Sequence, residues 1–229
     1  MKKIMFNDLY GLTQAVLDGR KTMTRRLIPQ STLKKVDDFM VDYHNQTLDS
    51  LTEIEALNQY FFVEEIGKLP YKIGEVIAIA QCYASIVDEL EDPKNFVCME
   101  HWESASPKRA HYCSFLHHPG MTNKMFVSAD EMPHQIRITN VHVEKLQDIP
   151  DEDCIKELGL DHVARNMGYG NAMSEWVYQF RWKDKMGRTQ EYSHRNPKEV
   201  FAIMIDKICG IGTWESNPYV FVYEFELVK

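Results

Sequence analysis

The stretch Gly19-Arg20-Lys21-Thr22-Met23-Thr24-Arg25-Arg26 crowds four cations and two hydroxyls into eight residues, in a chain whose formal net charge is -8. Like charges repel, and an acidic protein does not need these four for solubility, so the segment reads as a site that meets something polar or anionic. Upstream, Leu12, Ala15 and Val16 form a short helical stripe. Gly19 suits the left-handed position that ends such a helix. The cluster therefore starts at a helix C-terminus, where the macrodipole favours cations. The plainer alternative is a charged helix exit running on as a solvated strand.

Two further helices announce themselves by their ends. Pro150 opens Asp151-Glu152-Asp153-Cys154-Ile155-Lys156-Glu157-Leu158, with acids in the first turn and Gly159 as terminator. Asn196 is a cap and Pro197 a first helical residue before the apolar face of Val200, Phe201, Met204, Ile205 and Ile208, with Glu199 completing a capping-box-like pattern. Strands are expected at 75–86, 125–128 and 135–143, in a hairpin around Gly187, and from Tyr219 onward, where residues alternate with period two. Strands distant in sequence with helices between them, and no regular alternation, predict an α+β fold.

A helix followed by Gly19, Lys21, Thr24 and Arg26 in a G-x-K-x-x-T-x-R pattern resembles the ASCH domain of the PUA-like superfamily. Tyr71 to Ile77 is similar to that family's next strand, and 136–157 to its later strand and acidic helix. Trp214 to Val222 resembles the final strand of longer, often phage-associated, ASCH proteins. The resemblance implies a single domain over 1–229, a small and mostly antiparallel barrel with flanking helices and long insertions at about 28–70, 86–122 and 160–196.

Some small ASCH proteins are amidohydrolases acting on N4-acetylcytidine, which implies catalytic roles here for Lys21 and Thr24, with Glu157 as the glutamate that fits the downstream position. A threonine hydroxyl becomes nucleophilic when a neighbour takes its proton, and a lysine acts as base when burial or nearby cations lower its pKa. One geometric demand accompanies this. Residues at odd spacing on a regular strand face opposite sides, so Lys21 and Thr24 meet only across a bulge or turn. The family also contains proposed RNA-binding modules, so the alternative is a non-catalytic module of phage or mobile-element origin. In either case the expected partner is a nucleoside or single-stranded RNA, with Arg20, Arg25, Arg26 and Lys124 as cations and Tyr83 and Trp214 as stacking rings. Core packing is the plainer role for both rings.

Five scattered cysteines argue against a disulfide framework and fit a reducing, cytoplasmic setting. No apolar run is long enough for a membrane span, and no membrane partner or cofactor is expected. Cys98, His101, His111 and Cys113 form an alternative metal set, because thiolate and imidazole are the usual zinc ligands; surface histidines are the competing explanation.

Overall fold

The computed structural model describes residues 1–47, 50–90, 117–166, 174–184 and 186–228, and separates into two compact units. The first unit comprises 1–6, 76–136 and the last two residues; the second comprises 7–75 and 137–227. Helices and sheets together make the fold α+β. The strands form open rows rather than a closed barrel.

In the first unit, strand β1 (Lys3–Ile4) lies parallel to β3 (Val76–Ile79). Helix α4 (Tyr83–Leu90) follows where the sequence reading extended the strand to 86. Tyr83 and Ile86 fall three apart on one face of that helix and enter a core with Ala78, Ala80, Val127, Ala129 and Met132. The strand expected at 125–128 is instead a pair of 3-10 turns, Lys124–Phe126 and Ala129–Glu131, capped by the side chains of Asn123 and Ser128. Local side-chain capping outweighs β-propensity there.

The second unit opens with α1 (Leu12–Leu17), and Gly19 follows at φ 73°. Strand β2 (Met23–Leu27) pairs antiparallel with β8 (Tyr219–Val228), Thr24 opposite Tyr223 and Arg26 opposite Phe221. Next to β8 runs β4 (Gln135–Lys145), so the row is β4-β8-β2. The excursion at 28–70 is helical: α2 (Gln30–Thr47), then α3 (Glu53–Asn58), which continues as a π turn to Val63. Thr52 and Glu55 form a reciprocal capping box that starts α3. Aromatic packing holds this excursion onto β8, with the Phe61 ring edge-on to Phe221 at 4.8 Å and Tyr60 edge-on to Phe61 at 5.1 Å. Gly67 is required for that packing, because a Cβ there would sit 2.4 Å from the Phe61 ring.

Helix α5 (Asp151–Leu158) ends at Gly159 in the left-handed conformation. A three-stranded antiparallel sheet follows, β5 (Asp161–Asn166), β6 (Ser174–Lys183) and β7 (Thr189–His194), including the expected hairpin. Helix α6 (Pro197–Cys209) buries Val200, Phe201, Met204 and Ile205, as its stripe demands. Asn196 caps it through Lys198 rather than through a Glu199 box. Trp214, expected to lead into the final strand, sits in the short helix α7 (Thr213–Ser216). Along β8, Val220 to Tyr223 are all buried, so its first half has both faces covered despite the period-two pattern.

Candidate functional site

The cationic segment meets the acidic helix. Thr22 N–H donates to Lys156 C=O at 3.3 Å, and this places the start of β2 beside the last turn of α5. Lys21 is 2% exposed and Glu157 6%. The Lys21 ammonium donates to the Glu157 carboxylate at 3.0 Å, to Met23 C=O at 2.7 Å and, by a short contact, to Glu157 C=O. Its three protons thus have three acceptors. Burial pushes the Lys21 pKa down; the Glu157 charge opposes this, while Arg25 and Arg26 add to it.

Arg25 is the centre of charge in this site. Its guanidinium donates to Glu144 at 2.7 Å, to Asp153 at 3.2 Å and to Glu157 at 3.3 Å, and its backbone N–H donates to Glu157 at 3.1 Å. Desolvation works against its charge, but the Glu157 and Glu144 carboxylates outweigh it and raise its pKa. Desolvation would likewise raise the Glu144 pKa, yet the hydrogen bond from His142 and the charge of Arg25 hold it below the ordinary value. Arg20 pairs with Asp18 at 3.0 Å and donates to Gly159 C=O at 2.8 Å, closing the end of α5. Arg20, Lys21 and Arg25 therefore engage the protein itself. Glu144 and Asp153, which sequence reasoning did not single out, supply much of the anion. The acidic first turn of α5 was the visible signal, since acids there also serve the helix dipole.

Thr24 lies on the other pleat. Alternation along β2 puts Met23 and Arg25 on one face and Thr24 and Arg26 on the other. Thr24 is 5% exposed, and its hydroxyl makes no hydrogen bond among the described residues, to Lys21 and Glu157 included. Its cross-strand neighbour Tyr223 is fully buried and edge-on to Tyr71 at 5.4 Å. Burial drives the Tyr223 pKa upward. The positive charge of Arg26 acts on both tyrosines.

The other sequence candidates make contacts of their own. Tyr83 is a core residue of the first unit, edge-on to His118 at 5.8 Å. Lys124, also in the first unit, donates from its ammonium to Phe6 C=O. Trp214 packs edge-on against Phe201 at 6.0 Å, and its carbonyl accepts from Gln147. Cys98, His101, His111 and Cys113 lie outside the described residues. Among the described residues, no group of three or more His, Cys, Asp or Glu is arranged to hold a metal, and no helix is long and apolar enough to cross a membrane.

A concavity of about 410 Å³, also unforeseen, opens between α2, α3 and the start of β8. Its polar wall is Tyr219, whose hydroxyl donates to Glu53 at 2.9 Å, and Lys145, whose ammonium lies 3.9 Å from the Tyr219 ring centroid. Desolvation, together with Glu53, pushes the Tyr219 pKa up to about 12. No family model, no curated protein and no solved structure matches the chain.

Proposed function

We propose that the chain is an ASCH-type, PUA-like protein that recognises a nucleoside or RNA element and removes an N4-acyl group from a cytidine-like base. The observation that carries this reading is the buried Lys21, held 3.0 Å from Glu157 with a lowered pKa and three residues from Thr24, which is itself buried. In this scheme a neutral Lys21 amine takes the Thr24 proton by way of a bridging water, because Thr24 lies on the opposite pleat, as the hydroxyl oxygen attacks the acyl carbon. The C–N bond then breaks, the nucleoside leaves as the free amine with that proton, and water hydrolyses the acyl-threonine ester to release the acid. Glu157 orients Lys21, and Arg26 shares the Thr24 face where the developing oxyanion needs a cation.

One observation favours the second reading, a non-catalytic RNA-recognising module. All three Lys21 protons are already matched to protein acceptors, the arrangement of a charged structural tether. A neutral amine has only two protons for these three acceptors, so forming it breaks one of the three hydrogen bonds. Incubation with N4-acetylcytidine, with cytidine release followed, separates the two. Turnover abolished in Thr24→Ala and in Lys21→Met, both still folded by circular dichroism, supports the hydrolase. Absence of turnover in the folded wild-type protein refutes it and transfers the reading to the binding module.

A further inference from the structure

The sheet β5-β6-β7 sorts its residues by register in a way that burial alone does not require. Trp176, Tyr178, Phe180 and Trp182 follow one another at every second position of β6, so they share one face. Cross-strand pairing adds His162 and His194 opposite Tyr178, and Tyr192 opposite Phe180. The charged residues Asp161, Glu175, Arg181, Lys183 and Glu191 all occupy the alternate register. In a protein of net charge -8, this aromatic face carries no carboxylate from its strands.

One end of the face is covered and the other is open. Phe180 is 5% exposed, and Trp182 is flanked by Tyr10 at 6.2 Å and by the Lys207 ammonium 5.2 Å from its ring centroid. At the other end Trp176 is 60% exposed and His162 is also exposed. There the His162 ring stacks on Tyr178 at 4.6 Å with an interplanar angle of 19°, and lies 5.1 Å from Trp176. A large exposed ring beside a preformed stack costs solvation without contributing to a core, which marks a surface built for contact.

We propose that the open end, His162, Trp176 and Tyr178, is a stacking platform for unpaired bases of a single-stranded nucleic acid. Stacking asks for exposed π faces and tolerates any base. A polyanion also asks for a surface without carboxylates. The segment 161–195 holds six Lys and Arg against four Asp and Glu, a local net charge of +2 within the acidic chain, with Arg165, Arg181 and Lys183 in the register alternate to the rings. Lys207 places a cation at the covered end of the same row of rings. The platform does not depend on whether Lys21 catalyses, since none of its residues belongs to that cluster.

The test is anisotropy of a fluorescent oligouridylate titrated with the full chain at two salt concentrations, for wild type, Trp176→Ala and Tyr178→Ala. Stacking is worth about 1–3 kcal/mol per base, so each substitution is expected to weaken binding on the order of five- to hundredfold. Trp176→Phe, which keeps a π face, is expected to restore most of the affinity. Equal binding by all variants overturns the proposal, as does no binding by the wild-type protein. Concentration-dependent self-association that Trp176→Ala abolishes, without oligonucleotide binding, assigns the face to a second copy of the chain and also overturns it.

Discussion

Replacing Glu157 with glutamine keeps the shape of the side chain and deletes one charge from a group of buried ions. Its two carboxylate oxygens receive Lys21 at 3.0 Å, the Arg25 backbone at 3.1 Å and the Arg25 guanidinium at 3.3 Å. The Lys21 and Arg25 side chains are each 1% exposed, so water cannot take over from the lost carboxylate. Arg25 retains Glu144 and Asp153, whereas Lys21 loses the carboxylate charge it meets at 3.0 Å. The loss therefore falls mainly on Lys21. Breaking a buried pair from one side costs about 3–5 kcal/mol. At this chain length that corresponds to a fall in Tm of roughly 6–20 °C. Thermal and urea unfolding followed by circular dichroism measure it. Removing both charges in Lys21→Met/Glu157→Gln is expected to recover most of the loss, because no uncompensated ion then remains. A Glu157→Gln variant within about 1 kcal/mol of wild type, or a double variant no more stable than the single, would refute the claim that this pair is dry and mutually dependent.

Glu144 has a folded pKa below its ordinary value of 4.5, so its contribution is complete above that value and is lost as pH falls through the lower folded one; Glu144→Gln should flatten the acid limb of stability against pH below about 4.5. At Gly159, with φ at 61°, an added Cβ meets Ala15 and Arg20 at 3.2 Å, so Gly159→Ala is expected to lose about 1–2 kcal/mol in urea unfolding through left-handed strain alone. Cys154 is fully buried, and desolvation pushes its thiol pKa up to about 12. Iodoacetamide at pH 8 should leave Cys154 unmodified in the native protein and label it only in denaturant, as read by peptide mass mapping.

Where the chain carried a local rule, the sequence was readable. Gly19 and Gly159 end their helices, Asn196-Pro197 starts another, and the hairpin and last strand follow from alternation. The readings that failed depended on partners distant in sequence. The apolar run after Val76 reads equally as strand or helix, and only the core formed with Val127 and Met132 decides for α4. Periodicity does not forecast that the 28–70 excursion packs as helices on Phe221, since the decisive contact, Phe61 against Phe221, joins residues far apart in sequence. Pairing of Lys21 with Glu157 was anticipated only through the family resemblance. The capture of Arg25 by three carboxylates was not anticipated at all, because Glu144, Asp153 and Glu157 come from a strand and a helix that sequence spacing does not join.

That capture changes what the cationic segment means. Repulsion among Arg20, Lys21 and Arg25 is relieved by internal anions, so their density no longer calls for an external ligand. What the segment still offers to chemistry is the other pleat of β2, with Thr24 and Arg26 set among Tyr71 and Tyr223. A strand that spends one face on an ion network holds the opposite face rigidly, because a shift of β2 would break the Arg25 hydrogen bonds to Glu144, Asp153 and Glu157 together. Fixed placement of a hydroxyl is what a nucleophile or a specificity contact needs. On this argument Lys21 and Glu157 can matter to Thr24 in two separable ways, by moving its proton or by holding its strand. Lys21→Arg distinguishes them. The arginine keeps the charge and the tether but has no accessible neutral form, so a base role predicts lost turnover with stability retained, and a tethering role predicts that both survive.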